Sequence, residues 1–373
     1  MASPAPTLVP RTLESASIEE PLPHVYGGSQ ASAVVLFRDE LLAFGGVNGG
    51  CCDAGFSTDT HGVVWTSVDG AAWRISAGGA PFALGAIAGA AESSDHVVAV
   101  GTRHLPDEGA PEPNLHGAVW TSPDGGSWEL IRDTPIFESI VATADGFVAV
   151  SNTRAFPEIW RSESGRTWEL VAGQEVLGNG RVDRLLMTDD GLLAVGWSIN
   201  PYADLALEQD VHAPAAIWRS PDGRAWSRLP ADPALASSRI LNVAAAGGRL
   251  LAVGSDTVLE RSVAWTSTDA AAWDRVDVPS LDGAVIRLTS VLGLGDGFAV
   301  FGGWSPAEQE GPDVPVIWTT QDGRDWQPLA GLENLQEVAF GGWLAVPDGR
   351  ILIVGGAWDA TAGRAIPMAW ILS

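Results

Sequence analysis

The chain has 373 residues, 46% of them hydrophobic, and a formal net charge of −25 at pH 7. Its basic residues are all arginines. A surface this acidic repels nucleic-acid phosphates and anionic lipids, so we expect neither nucleic acid nor a membrane surface as a partner.

The beginning of the sequence does not resemble a secretory signal. Residues 1–23 contain proline and glutamate where a signal peptide needs a basic end and an apolar stretch. No run of about 18 apolar residues follows, and a cytoplasmic location is expected. Cys51 and Cys52 are adjacent, which is not a disulfide framework. Free loop thiols are the simplest interpretation; a strained vicinal disulfide or a reactive thiol is the alternative.

One motif, Trp-x-Ser-x-Asp-Gly-x-x-Trp with small variations, recurs along the chain. Its spacing, roughly 40 to 60 residues, is that of propeller blades. Proline at the second turn position and glycine at the fourth, as in residues 122–125, predict a tight turn between two short strands. The motif occupies residues 65–73, 120–128, 160–168, 218–226, 265–273 and 318–326, and a seventh copy begins at 368.

A second unit, a strand, a turn and an apolar strand, precedes each motif. Asp-Gly between apolar runs is a strong hairpin signal, and the nearly continuous apolar run after the turn indicates a strand buried on both faces. The seven turns lie at 39–40, 94–95, 145–146, 190–191, 247–248, 296–297 and 348–349.

Two hairpins per period predict an all-β fold, a single seven-bladed β-propeller over residues 1–373. Each blade is a four-stranded antiparallel sheet with strands A to D from the axis outward. The last blade lacks strand D, and we expect an N-terminal strand within residues 5–20 to supply it by pairing with 366–372. The predicted blades span 31–76, 84–131, 139–171, 184–229, 240–276, 287–329 and 338–373.

The Ser-x-Asp-Gly-x-x-Trp hairpin resembles a shortened form of the Asp-box (BNR) repeat of sialidase-like propellers, whose usual form is one residue longer. The resemblance covers almost the whole chain and implies the fold, with the Asp boxes on the face opposite the active site. The sialidase catalytic set of three arginines, a Tyr–Glu pair and an acidic Asp is not matched. Only Tyr26 and Tyr202 are present, and neither has an identifiable glutamate partner.

The connections of a propeller separate by face. The A–B and C–D turns lie at one end, and in this sequence they are short and repetitive. The B–C and D–A connections lie at the other end, which we term the B–C face. The B–C connections are long in blades 1, 2, 4 and 6 and short in blades 3 and 5. Repeat proteins whose loop insertions lie on one face usually bind their ligands at that face. A ligand site is therefore expected on the B–C face.

Two groups of candidate ligand-binding residues map to this face. The first is aromatic: Trp197, Trp304, Trp343, Trp358 and Tyr202. The tryptophans either form a floor for a sugar, a cation or an apolar molecule or plug the wide end of the channel. The second comprises Arg184, Arg239 and Arg287, near the starts of A strands. These arginines either bind a carboxylate substrate or pair with neighbouring acids.

Candidate catalytic residues lie in the same region: Asp210, His104 and His212. A carboxylate and an imidazole can act as general acid and base, whereas structural hydrogen bonding is the alternative role of the histidines. His61, His104, His116 and His212 lack a metal-ligand spacing, so neither a metal nor another cofactor is predicted.

The leading hypothesis is a monomeric enzyme that uses acid–base chemistry on a small organic or glycosidic substrate, by hydrolysis, elimination or cyclisation. One alternative is a non-catalytic propeller that binds glycans or proteins. A second is a metal-dependent enzyme that uses the loop histidines.

Overall fold

The chain folds into seven four-stranded antiparallel sheets, which form the seven blades of a β-propeller. Its structure is a computed structural model. The described residues are 13–19, 29–47, 61–105, 114–152, 156–199, 214–259, 261–279, 284–306, 314–329, 332, 335, 338–361 and 363–373. The predicted fold class is confirmed.

The strands follow one another regularly along the chain. The first strand is β1 (Leu13–Ser17). Blade 1 contains β2 (Ser29–Phe37), β3 (Glu40–Val47), β4 (His61–Ser67) and β5 (Arg74–Ala77). Blade 2 contains β6 (Gly85–Glu92), β7 (Val97–Leu105), β8 (Asn114–Ser122) and β9 (Glu129–Thr134). Blade 3 contains β10 (Ser139–Thr143), β11 (Gly146–Ser151), β12 (Glu158–Ser162) and β13 (Glu169–Ala172).

The second half repeats this order. Blade 4 contains β14 (Asn179–Thr188), β15 (Gly191–Ile199), β16 (Ala215–Ser220) and β17 (Ser227–Arg228). Blade 5 contains β18 (Ser238–Ala246), β19 (Arg249–Asp256), β20 (Arg261–Ser267) and β21 (Asp274–Val276). Blade 6 contains β22 (Ala284–Leu294), β23 (Gly297–Pro306), β24 (Val314–Thr320) and β25 (Gln327–Pro328). Blade 7 contains β26 (Val338–Ala345), β27 (Ile351–Asp359), β28 (Arg364–Leu372) and β1.

Among the described residues, those of three D–A connections form a short helical turn. These are the 3₁₀ turns Ala80–Phe82 and Pro233–Leu235 and the helix α1 (Gln174–Leu177).

The ring closes through the N-terminal strand. Leu13 lies opposite Leu372, and Ser17 lies opposite Met368. The residues after β1 then continue onto blade 1, where the carbonyl of Glu19 accepts a hydrogen bond from the Trp65 indole (2.8 Å) and its carboxylate accepts one from the Ile75 amide (2.8 Å). The predicted closure is confirmed, and the same segment fastens the last blade to the first.

The predicted turn between strands C and D is held by the side chains of its own motif. In blade 2, the Ser122 hydroxyl accepts the Gly125 amide (2.8 Å), and the Asp124 carboxylate accepts the amides of Ser127 (2.6 Å) and Gly126 (2.9 Å). Because these N–H groups favour the ionised form, they lower the pKa of Asp124 to about 2. We call this C–turn–D unit the Trp hairpin.

The first tryptophan of the Trp hairpin joins neighbouring blades. In four blades its indole N–H donates to a backbone carbonyl in the connection that precedes its own blade, which satisfies this buried donor. Such bonds run from Trp65 to Glu19, Trp120 to Pro81, Trp218 to Val176 and Trp265 to Ala234. All four side chains are fully buried, which is the packing role that the regular spacing predicts.

Candidate functional site

The site is built on β-bulges in the innermost strands. In blade 4, Val182 lies opposite Gly196 and Arg184 lies opposite Val195, so Asp183 has no partner in the ladder. A bulge bends the strand and re-aims side chains. The A strands of blades 1, 2, 5, 6 and 7 shift register at the equivalent place, whereas that of blade 3 is regular.

A glycine in strand B permits each bulge. A Cβ on Gly196 would lie 2.1 Å from the Arg181 carbonyl oxygen, and one on Gly254 would lie 1.8 Å from that of Arg239. Only glycine allows so close an approach of two backbones. Blade 3 has Ser151 at this position, and its strand A lacks the bulge.

The bulges place three arginines at equivalent positions of successive blades. The carbonyls of Arg181, Arg239 and Arg287 are the ones that approach the strand B glycines of blades 4, 5 and 6. We call these three residues the arginine arc. They lie at the ends of the A strands that are on the B–C face. The chain has a net charge of −25, so a cluster of arginines at this place is not expected from its composition.

Arg181 is held by two carboxylates. Its guanidinium lies 2.5 Å from the Glu138 carboxylate and 2.7 Å from the Asp183 carboxylate. Asn152 donates to Glu138 (3.1 Å) and exchanges hydrogen bonds with the backbone of Val182 (2.9 and 3.0 Å). The charge of this arc member is therefore neutralised within the protein.

Asp183, one of the two carboxylates that contact Arg181, has a pKa that burial shifts. Burial raises its pKa above the ordinary value, and the proximity of Glu138 acts in the same direction. The hydrogen bond from Arg181 and the charges of Arg181 and Arg239 oppose this rise without cancelling it. A carboxyl with a raised pKa near a rim of cations can donate or accept a proton.

Arg239 and Arg287 each contact a side chain that carries no charge. The Arg239 guanidinium lies over the Trp197 ring, 4.9 Å from the ring centroid, in a cation–π contact, and its charge also acts on the Asp183 carboxyl of blade 4. Arg287 donates to the Ser305 hydroxyl (2.9 Å).

Arg239 and Arg287 line the same cleft, which lies between blades 5 and 6 on the B–C face and has a volume of about 620 Å³. We call it the blade 5–6 cleft. Its wall comprises the A strand of blade 5, the turn that follows β19, the start of β20 and residues 285–289 of blade 6. Of the described residues that line it, the charged ones are Arg239, Arg261, Arg287 and Asp256.

The one aspartate of the lining is already paired. One oxygen of Asp256 accepts from the Arg275 guanidinium (2.8 Å), and the other accepts from the amides of Val258 (3.0 Å) and Leu259 (2.9 Å). These bonds lower the pKa of Asp256 although its burial acts in the opposite direction. The described residues of the lining therefore include three arginines and one aspartate, which is paired with Arg275.

The other predicted aromatic residues are spread over the ring. Trp304 lies near the end of β23, beside Ile286 and Val314 of the neighbouring strands. Trp343 stacks on Phe301 at 4.8 Å and packs between blades 6 and 7. Trp358 is half exposed on β27 of blade 7. Of the four tryptophans, Trp197 is the one that contacts an arginine of the cleft.

Other predicted residues lie apart from the cleft or outside the described residues. His104 is in β7 of blade 2, where its amide donates to the Leu84 carbonyl (2.9 Å) and burial lowers the pKa of its imidazole. Arg184 lies beyond the bulge of β14, so the blade 4 member of the arc is Arg181. Asp210, His212, Tyr202, Cys51 and Cys52 fall outside the described residues.

Sequence reasoning missed Arg181, Asp183, Glu138 and Arg261. The sequence does contain a signal for Arg181 and Asp183. A glycine follows Ala-Val or an equivalent apolar pair in strand B of each blade that contains a bulge, and these two residues lie at the bulge of blade 4. No such signal points to Glu138, which is 43 residues from its partner Arg181.

Within the described ranges, no three or more His, Cys, Asp or Glu side chains are grouped to hold a metal ion. None of the helices in those ranges has the length and apolar character needed to span a bilayer.

No family model matches the sequence, and no curated protein matches it either. Many solved structures are similar in fold, among them the following three. YCF48 bound to D1 peptide has a TM-score of 0.60 at 14% identity, with 96% of this chain and 94% of that chain covered. The β-propeller domain of the Trilobed protease from Pyrococcus furiosus has a TM-score of 0.55 at 11% identity, covering 92% and 95%.

The third structure belongs to a study of two prolyl endopeptidases, and its TM-score is 0.51 at 12% identity, covering 89% of this chain and 47% of that longer chain. At these identities the likenesses show the fold alone: the chain is a seven-bladed β-propeller.

Proposed function

We propose that the protein binds an anionic ligand in the blade 5–6 cleft. The observation that carries this proposal is the charge of the described lining residues, which are three arginines and one aspartate that is paired with Arg275. Guanidinium groups bind carboxylates through charge-assisted, often bidentate hydrogen bonds. The volume, about 620 Å³, lies within the range of small-ligand sites.

The described lining of the cleft contains more arginines than carboxylates, although the protein as a whole has a net charge of −25. The YCF48 structure, solved with a bound peptide, is a precedent for ligand binding by a propeller of similar fold.

The test is a calorimetric titration of the protein with citrate at low and at moderate ionic strength. We expect the double variant Arg261→Gln/Arg287→Gln to lose at least tenfold in affinity, about 1.4 kcal/mol. The matched control, Arg38→Gln/Arg324→Gln, makes the same change of charge on the opposite face and is expected to bind as the wild type does. Equal loss in both variants, or no binding by the wild type, would refute a specific anion site in this cleft.

An enzymatic role is a second candidate, and the raised pKa of Asp183 favours it. The carboxyl contacts Arg181 of the arginine arc in blade 4, and the charge of Arg239 acts on it, so it could take part in acid–base chemistry on a substrate bound beside the arc. In this version the enzyme uses acid–base chemistry on a small organic or glycosidic substrate. Binding that survives Asp183→Asn while turnover is lost would support catalysis; binding without turnover of any substrate offered to the wild type would favour the non-catalytic role.

The Trp hairpins support a relation to the Asp-box propellers. Their serine and aspartate side chains cap the turn from within in blades 1, 2, 4 and 5. This relation concerns the scaffold and leaves the proposal for the opposite face unchanged.

A further inference from the structure

The A strands of the seven blades surround the axis of the ring. Each of them contacts the A strand of the blade before it and that of the blade after it, from β2 around to β26 and back to β2. We call the space that they enclose the axial channel. Because the faces of the blades pack against each other, an exposed side chain at the middle of an A strand lies in this channel.

Arg184 is such a side chain. It lies near the middle of the ten residues of β14, opposite Val195 and directly after the bulge, and it is exposed. Its sequence neighbour Leu185 is buried between blades. Protein atoms nevertheless surround the Arg184 guanidinium closely enough for burial to lower its pKa. A group that is both accessible to water and enclosed by protein lies in a narrow passage, which agrees with a position in the axial channel.

Within the described ranges, the Arg184 guanidinium forms neither an ion pair nor a hydrogen bond. The described A strands contain two carboxyl groups, those of Asp183 and Glu92. Asp183 bonds to Arg181, and Arg184 is not among the charges that shift its pKa. Burial raises the pKa of Glu92, and no cation acts on it to lower it. Neither carboxyl group therefore compensates the charge of Arg184.

The residues equivalent to Arg184 in the other blades carry no charge. They lie opposite the residue that precedes the strand B glycine, or Ser151 in blade 3, and they are Ala33, Gly89, Ser139, Asn242, Ser290 and Gly342. Asn242 donates to the Ser290 hydroxyl (2.7 Å), so these two polar side chains bond to each other between blades 5 and 6. At this level of the A strands, Arg184 alone carries a charge.

From this arrangement we propose that the axial channel binds one small monovalent anion against the Arg184 guanidinium. The site is separate from the blade 5–6 cleft, to whose described lining Arg184 does not belong. An enclosed charge costs free energy unless a counter-charge lies close to it, and an anion in the channel supplies that counter-charge. One guanidinium group matches one negative charge and offers several N–H donors in a fixed plane, which suits chloride or a short carboxylate such as formate.

The experiment compares the melting temperature of the full chain in equal concentrations of sodium chloride, sodium formate and sodium gluconate, the last supplying a bulky reference anion. We expect the wild type to melt roughly 2 °C higher in about 0.3 M chloride or formate than in gluconate, because an anion that binds the folded state stabilises it. The larger of the two shifts tells whether chloride or a carboxylate is preferred.

Arg184→Met removes the charge and keeps an unbranched aliphatic side chain. This variant should lose the difference between the salts, and in gluconate it should melt at or above the wild type because it no longer encloses an uncompensated charge. Arg184→Lys retains the charge and should retain the difference at least in part. Arg132→Met, at an exposed arginine of β9 outside the channel, is the matched control and should respond to the salts as the wild type does.

The outcomes separate this site from the cleft. Arg261→Gln/Arg287→Gln should leave the response to chloride and formate unchanged, so failure of citrate to bind in the cleft leaves this inference standing. A wild type that melts equally in the three salts overturns it, as does a difference that persists in Arg184→Met. A melting temperature of Arg184→Met below that of the wild type in gluconate would show that the arginine stabilises the fold without an anion, and would also overturn the inference.

Discussion

The guanidinium of Arg239 lies over the indole ring of Trp197, so a strand A residue of blade 5 rests on a strand B residue of blade 4. Because the face of an aromatic ring attracts a cation without neutralising it, Trp197 orients the arginine and leaves it able to bind an anion. The aromatic residue and the arginine that sequence analysis assigned separately to ligand binding therefore form one unit.

Trp197→Leu should weaken citrate binding in the cleft about two- to tenfold, because the lost cation–π contact is worth roughly 0.5–1 kcal/mol and Arg239 loses its fixed orientation. Titration calorimetry measures the change. Trp358→Leu is the control, since Trp358 is exposed on blade 7 and its replacement should not alter the affinity. An unchanged affinity in the Trp197 variant would show that the indole does not position Arg239 for binding.

Gly254→Ala should destabilise the fold and displace Arg239. A Cβ at this position would lie 1.8 Å from the Arg239 carbonyl oxygen, so the bulge of β18 has to shift, at a cost of about 2 kcal/mol or more. Chemical denaturation of the variant measures the loss. Gly78→Ala adds the same methyl group where nothing lies within 4 Å, and its free energy of unfolding should stay within about 0.5 kcal/mol of the wild type. Similar stabilities of the two variants would contradict the account of the bulge.

Glu92, the last residue of β6, should make the protein less stable as the pH rises. Burial raises the pKa of its carboxyl from 4.5 to about 7. The folded state therefore holds the proton over a pH range in which the unfolded state has released it, and the stability present below pH 4.5 is lost as the pH rises toward 7. The loss between pH 5 and pH 8 amounts to about 2 kcal/mol.

Urea denaturation of the wild type and of Glu92→Gln at these two pH values isolates the effect. The difference in the free energy of unfolding between the two proteins should change by about 2 kcal/mol from pH 5 to pH 8, because glutamine cannot ionise. His104 contributes with the opposite sign, since its pKa is lowered, but it does so equally in both proteins. A difference independent of pH would show that Glu92 titrates normally in the folded state.

Removal of residues 1–19 should lower the melting temperature by roughly 5 °C or more. The truncation leaves β28 with an unpaired edge and deprives Trp65 and Ile75 of their partners in Glu19. A shorter truncation, of residues 1–12, preserves β1 and serves as the control in differential scanning calorimetry. If both truncations melt with the wild type, the closing strand adds no measurable stability.

The fold could be predicted because its determinants are local and repeated. The turn of the Trp hairpin depends on residues within one motif, such as Ser122, Asp124 and Gly125. Seven A–B hairpins and six complete Trp hairpins leave few alternatives to a seven-bladed ring. The third copy has Ser164 in place of aspartate and still forms the turn, because the Ser162 hydroxyl accepts the Gly165 amide (2.8 Å).

The site could be predicted in part. The position of Arg239 and Arg287 near the starts of A strands is visible in the sequence, because the hairpin turns fix the strand ends. The pairing of Arg181 with Glu138 cannot be read from the sequence, because it depends on the packing of two blades against each other. Sequence analysis assigns Trp343 to the B–C face because it lies outside the Asp-box motifs. In the structure its ring stacks on Phe301 between blades 6 and 7. A position outside the motifs does not tell a tryptophan on the B–C face from one that packs between blades.

The pairing of Leu13 with Leu372 has a consequence for synthesis on the ribosome. The closing strand is translated before the six intervening blades, whereas its partner β28 is translated after them, so β1 has no partner of its own while those blades are made. Contacts this distant in sequence form slowly. The ring therefore closes only after β28 has been made, and until then the outer edge of β28 is open to pairing with another nascent chain.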